Sequence, residues 1–199
     1  MNVECTIGVL ALQGAFAAHA ELLAGLGVAT RLVRRPQQLE GLNGLVLPGG
    51  ESTTMSNLLV SSGLDSALRT AIDSGLPVFG TCAGMILLAR EIIDGRPDQI
   101  SFGALDIAVR RNGYGRQIDS FETDLHLTSF EEPFHAVFIR APVIESCGSD
   151  VEVLAELDGH PVLVRSGRVL AASFHPELTS DSRIHHLFIQ LITHASITR

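Results

Sequence analysis

Leu76-Pro77-Val78-Phe79-Gly80-Thr81-Cys82-Ala83-Gly84-Met85-Ile86-Leu87-Leu88-Ala89 runs from a short apolar stretch, through a glycine-bounded step, into a second apolar stretch. Leu76 to Phe79 reads as a strand buried on both faces, and Met85 to Ile93 as a helix. A strand that turns sharply into a helix lifts the side chain at the turn clear of the sheet, and here that side chain is the Cys82 thiol. Gly80 and Gly84 suit a turn packed closely against its neighbours. The thiolate is the attacking form of cysteine, and a helix N-terminus favours it. The amide of Ala83, next after the nucleophile, is expected to face a developing oxyanion. Taken alone, the pattern also fits a small buried thiol.

Outward from this elbow, strand-like and helix-like segments alternate. Thr6 to Leu12, Val28 to Val33 and Gly44 to Leu47 read as strands. Ala15 to Leu26, Thr53 to Val60 and Leu64 to Ile72 read as helices, the first ended by Gly27. Downstream the segments are short and strand-like: Ala104 to Arg110, Glu122 to Leu127, Ala136 to Ile139, Val151 to Leu157, Val162 to Arg165 and Val169 to Phe174. Asp158-Gly159 and Ser166-Gly167 signal hairpins, and Asp181 to Thr193 closes as a helix capped by Ser180 or Asp181. The expected fold is α/β, a three-layer sandwich. A mostly parallel central sheet is flanked by helices, antiparallel strands are added late, and residues 1–199 form one domain.

The chain has 199 residues, 46% hydrophobic and 18% charged, which suits a well-buried globular protein rather than a disordered one. Its net charge of -8 argues against nucleic acid as a partner. No apolar run approaches the roughly 18 residues of a membrane span, and the N-terminus reads as a first strand rather than a leader. Cys5, Cys82 and Cys147 have no metal-type spacing and cannot all pair, so a reducing cytoplasm and no metal are expected.

Two further stretches complete a candidate site. In His175-Pro176-Glu177, an extended backbone would put the first and third side chains on one side, and Pro176 biases His175 toward that conformation. His175 then serves as base, with Glu177 holding its tautomer. The alternative is a strand end with a buried histidine and a surface glutamate. Pro48-Gly49-Gly50-Glu51-Ser52-Thr53 follows a buried strand. Its glycines expose backbone amides suited to an oxyanion or a carboxylate, and Ser52 or Thr53 is the expected helix cap. An ordinary strand-to-helix turn would look the same. His185 and His186 are expected on a surface helix. His19 is expected on a solvated helix face, with a partner-facing role as the alternative.

A P-G-G turn, a G-x-C-x-G elbow and a late H-P-E, in that order, resemble a class I (triad-type) glutamine amidotransferase domain. More narrowly, the chain resembles the glutaminase subunits of pyridoxal 5'-phosphate synthase. The resemblance is carried by Ile7 to Gly14, Pro48 to Thr53, Gly80 to Gly84, Arg111 to Gln117, Asp119 to Glu122, Phe138 to Pro142 and Ser173 to Thr179, spanning nearly the whole chain. It implies hydrolysis of L-glutamine to L-glutamate and ammonia, with Cys82, His175 and Glu177 as the triad. It implies oxyanion donors at Gly49, Gly50 and Ala83, and a glutamine pocket lined by Gly50, Glu51, Ser52, Arg111, Ile139 and Arg140. Either Arg111 or Arg140 would take the α-carboxylate. Gln13 stands where the family places a residue tied to activation. The implied partner is a (β/α)8-barrel synthase subunit, on which the cofactor is built, so this chain is expected to need no cofactor of its own. A cysteine peptidase or deglycase of the same broad fold, and a non-catalytic regulator, are the competing readings.

Overall fold

The computed structural model describes residues 5–111 and 120–197. Asn112 to Gln117 of the motif that begins at Arg111, and Asp119, lie outside the described residues. The first half runs β1 (Thr6–Leu10), α1 (Phe16–Gly25), β2 (Ala29–Val33), β3 (Gly44–Leu47), α2 (Ser52–Ser62), α3 (Leu64–Asp73), β4 (Val78–Thr81) and α4 (Ala83–Leu88). There follow β5 (Ala89–Ile92), β6 (Leu105–Arg110), β7 (Ser120–Leu125), β8 (Phe134–Ile139) and β9 (Val143–Cys147). The chain ends with β10 (Glu152–Leu157), β11 (His160–Ser166), β12 (Val169–Ala172) and α5 (Arg183–Ile197).

The central sheet has seven strands in the order β10-β11-β12-β4-β3-β1-β2. The five strands from β12 to β2 are parallel, and β10, β11 and β12 pair antiparallel. The fully buried strands β3, β4 and β12 are continuous apolar or small-residue runs, as a sheet covered on both faces requires. Alternation along each strand splits the core in two. Leu45 and Leu47 join Met55 and Leu59 of α2, Leu68 of α3 and Met85 of α4 on one face. Val46 joins Leu23 of α1 and Ile184 and Phe188 of α5 on the other. The three layers expected from the sequence are therefore present. The turn between β10 and β11 has both Asp158 and Gly159 at positive φ (51° and 79°), the conformation a tight hairpin needs.

Two elements differ from expectation. The apolar run from Met85 to Ile93 is not one helix. α4 stops at Leu88, where the Phe102 amide takes the Leu87 carbonyl (2.7 Å), and Ala89–Ile92 continues as β5 beside β6. A short apolar run satisfies either geometry, and pairing with a distant strand decides it. Strand β9 has no counterpart among the expected strands. It pairs antiparallel with β6 in a small second sheet that packs with α2 and α4.

Candidate active site

The loops that leave β1, β3, β4 and β12 emerge at the same edge of the sheet, because those strands are parallel. Gln13, the Gly49-Gly50 turn, Cys82 and His175 sit on these four loops. Ligands of open α/β sheets bind in such a crevice, at the carboxyl ends of the strands.

Cys82 is held on both sides. Its amide donates to the Ala172 carbonyl (2.8 Å), and its own carbonyl accepts from Ile86 in the first turn of α4 (3.2 Å). Between these anchors its backbone is forced to φ 48°, ψ -102°, a conformation that L-residues rarely adopt. This is the sharp elbow expected from Gly80 to Gly84. A Cβ on Gly84 would lie 1.9 Å from the Leu47 carbonyl oxygen, so glycine is required there. The thiol lies 3.9 Å from the Ile139 carbonyl oxygen.

His175 is fastened by its amide to the Val137 carbonyl of β8 (2.8 Å). Its ring lies against Gly49, where an added Cβ would stand 2.3 Å from Cε1. Its Nδ1 is 2.7 Å from Glu177 Oε1. The route to this contact is not the expected extended one. Pro176–Leu178 is a 3-10 turn, closed by the Leu178 amide on the His175 carbonyl (3.2 Å), and the turn swings Glu177 back under the ring. Burial disfavours a charged imidazole, but hydrogen bonding and charge from Cys82 and Glu177 outweigh it and lift the His175 pKa to about 10. Burial would likewise raise Glu177, yet its hydrogen bond to His175 leads the causes that hold it below the usual carboxylate range. His175 thus carries a proton at neutral pH, with Nδ1 committed to Glu177 and Nε2 left for the reacting atoms.

The glycine turn is equally constrained. The Gly49 carbonyl accepts from Ala15 at the start of α1 (3.1 Å), so in a trans peptide the Gly50 N–H points the opposite way. Gln13 Oε1 accepts from the Glu51 amide (3.0 Å), tying the loop after β1 to the loop after β3. The cap of α2 is Glu51, rather than Ser52 or Thr53. Its carboxylate accepts from the amides of Thr53 (3.1 Å) and Thr54 (2.6 Å) and from the Thr54 hydroxyl (2.7 Å). Slight burial works upward, but these bonds bring its pKa down to about 2.

A cleft of about 260 Å³ opens over the sulfur, lined by Gln13, Gly50, Glu51, Ser52, Cys82, Ile86, Arg111, Ile139, Arg140 and His175. Every residue expected in the glutamine pocket is on its wall, and Ile86 is an addition. Gly49 backs the His175 ring, Ala83 starts α4 beside the sulfur, and Glu177 sits behind His175. Arg111 is aimed by Thr53 Oγ1 (2.8 Å) and Gln99 Oε1 (3.3 Å), two partners that sequence motifs did not single out. Arg140 is exposed at φ 43°. A larger cleft, about 450 Å³, lies at the amino-terminal edge of the sheet among Leu39, Asn43, Pro77 and Arg168. Among the described residues it is lined by no cysteine, histidine or carboxylate, so chemistry and not size singles out the candidate site.

Two histidines correct the sequence reading. His19 and His185 are both fully buried, not solvated, and meet behind Glu177.

Residues 9–194 match the model of the SNO glutamine amidotransferase family. The chain belongs to the SNO glutamine amidotransferase family. Among curated relatives, it is 55% identical to the pyridoxal 5'-phosphate synthase subunit PdxT of Mycobacteroides abscessus, across 94% of this chain and 96% of that one. It is 57% identical to the PdxT subunit of Frankia alni, across 94% of each. A crystal structure described as a glutamine amidotransferase superposes with a TM-score of 0.88 at 51% identity, covering 94% of this chain and 98% of that one. A putative GMP synthase protein from Thermoplasma acidophilum shares the fold at 18% identity, with a TM-score of 0.72 over 100% of this chain and 98% of that one. No helix among the described residues of this SNO family member is long and apolar enough to cross a membrane.

Proposed function

We propose that this chain hydrolyses L-glutamine to L-glutamate and ammonia, and delivers the ammonia to a synthase subunit that builds pyridoxal 5'-phosphate. The observation that carries this is the series of thiol, imidazole and carboxylate at the strained elbow. Cys82 opens on the cleft, His175 lines it too, and Glu177 holds His175 at 2.7 Å. The relatives' printed names supply the pathway.

Cys82 sulfur attacks the side-chain carbonyl carbon of glutamine, and the carbonyl electrons move to oxygen. Amides of Gly50 and Ala83, with Gly49 shaping the turn, would receive that oxyanion; losing one such donor costs on the order of a hundredfold in rate. As the tetrahedral centre collapses, His175 Nε2 gives its proton to the leaving nitrogen and ammonia departs, leaving a glutamyl thioester. The ring then takes a proton from water, which attacks the thioester and releases glutamate and the thiol. Glu177 keeps the proton-bearing nitrogen aimed throughout. Arg111, Arg140, Glu51, Ser52 and the Ile139 backbone are suited to the amino-acid end of the substrate: guanidinium for carboxylate, acceptors for ammonium.

Ammonia released into water becomes unreactive ammonium, so a feeder glutaminase is best docked on its consumer. We assign the reducing cytoplasm as the compartment and, as that partner, a (β/α)8-barrel synthase subunit. Gln13 lines the cleft and grips the glycine turn, which suits it to couple docking to activity. The test is glutamate release by the pure chain, with and without the synthase subunit, beside Cys82→Ala. Release that depends on the thiol and rises with the synthase is expected. Undiminished release by Cys82→Ala would overturn the nucleophile.

A further inference from the structure

Glu177 has two carboxylate oxygens, and His175 occupies only one. The other, Oε2, is buried without a well-formed hydrogen bond, and His19 Nε2 stands 3.3 Å from it, both side chains fully closed to solvent. His19 comes from α1, on the far side of the carboxylate from His175. Its Nε2 is also 3.2 Å from Thr81 Oγ1, and its Nδ1 is 2.9 Å from His185 Nε2 on α5. Phe79 of β4 meets both rings edge-on, closing the pocket with apolar surface. Among the described residues, His185 Nδ1 has no partner.

Proton placement follows from these contacts. Burial leaves both rings uncharged at neutral pH: it lowers His19 to about 4, with Glu177 opposing, and His185 to about 3. Each ring therefore carries one N–H. With the His19 proton on Nε2, that N–H faces Glu177 and Thr81. Its Nδ1 then accepts from His185 Nε2–H, and the unpartnered His185 Nδ1 holds only a lone pair. The opposite assignment aims a lone pair at a buried anion and strands an N–H at His185 Nδ1. An orphaned buried donor is the rarer and costlier defect, so the first arrangement wins.

We infer that His19 is a positioning residue for the glutaminase reaction, steadying Glu177 through Oε2, with His185 fixing the tautomer of His19. The inference rests on the glutaminase reading. His19 is not among the residues that line the cleft. A carboxylate held at one oxygen can swing about that contact, whereas one held at both keeps the His175 Nδ1–H aligned and Nε2 over the thiol. Because His19 is neutral, it supplies this without adding a second cation to compete with His175 for Glu177. The titratable groups around it are Glu177, His175 and His185, with His186 beyond.

The experiment compares glutamate release by the assembled synthase complex carrying wild type, His19→Leu, His19→Gln or His19→Asn. Leucine fills the space without a donor. A glutamine amide reaches near the former Nε2, and an asparagine amide falls short. His19→Leu should lose about tenfold in kcat, as Glu177 Oε2 loses the N–H that faces it at 3.3 Å, with little change in KM. The acid limb of its kcat/KM profile should move to higher pH, since Glu177 then protonates more readily. His19→Gln should recover most of both, and His19→Asn should resemble His19→Leu. Wild-type kinetics in His19→Leu, or equal impairment of the leucine and glutamine variants with an unshifted pH profile, would overturn the inference. Should the leucine variant fail to fold, equal activity of the asparagine and glutamine variants would do the same. An inactive wild-type complex would count instead against the glutaminase reading.

Discussion

A single methyl group at Gly49 separates packing from chemistry at this site. Its Cβ would stand 2.3 Å from His175 Cε1, so Gly49→Ala must push the ring or the turn aside. The fold has no stake in that contact, but a shift near 1 Å at a reacting group costs on the order of a hundredfold in rate. Gly49→Ala should therefore melt near wild type while kcat for glutamate release falls by about that factor; near-normal kcat would mean the ring tolerates displacement. Arg111 gives a complementary case. Thr53→Val removes its 2.8 Å hydroxyl contact, and steady-state kinetics should show a KM for glutamine raised several-fold with kcat little changed, because the loss is in binding. The residues on the cleft wall, Ile86 apart, were legible in the sequence because each lies in a short, local motif. His19 and His185 were not. α1, Phe-Ala-Ala-His-Ala-Glu-Leu-Leu-Ala-Gly, is apolar nearly all round, so no period marks its buried face. A signal for His185 did exist: with Phe188 and Ile192 it keeps the i, i+3, i+7 spacing of a buried stripe.

At the scale of elements, capping decides where the substrate loop ends and α2 begins. Glu51 accepts from two first-turn amides, those of Thr53 and Thr54, and the same residue lines the cleft. Glu51→Ala should lower unfolding free energy by about 1 kcal/mol in urea titration, the usual worth of an N-cap, and Glu51→Asp should keep part of it. No loss in the alanine variant would show that the turn is held by Gln13 alone. The sequence pointed to Ser52 and Thr53 because short hydroxyl residues are the commoner caps. What it could not show is that Gln13 takes the Glu51 amide (3.0 Å), which leaves Glu51 as the cap and Ser52 as the first helical residue. The same lesson holds at α4 and β5. The parallel strands were readable from their apolar runs, and the hairpins from Asp-Gly and Ser-Gly. The break at Leu88 depends on Phe102 and β6, which no local window contains. Likewise, Pro176 argues locally for an extended His175, whereas a proline at the first position of a 3-10 turn is equally at ease.

Across the whole molecule, the site gathers histidines of opposite thermodynamic sign. His19 and His185 come from the α1/α5 layer and have folded-state pKa values near 4 and 3, below the ordinary 6.5. The unfolded chain takes up protons that these buried rings refuse, so stability falls as pH drops from about 6.5 toward 4. Glu177, held low in the folded state, adds to the acid loss as it protonates. His175 behaves oppositely, with its pKa raised to about 10. Its stabilisation is complete below about 6.5, where the unfolded ring is charged too, and fades as pH rises toward 10. Urea midpoints measured from pH 4 to 10 should therefore peak near neutrality and decline on both sides. His185→Leu should flatten the acid limb alone, since it removes a ring that must be neutral to be buried. Cys82→Ala should flatten the alkaline limb alone, since the sulfur is one of the two groups that hold the proton on His175. An acid limb unchanged in His185→Leu would mean that this ring is charged in the fold and that the layer behind Glu177 is wetter than its burial implies.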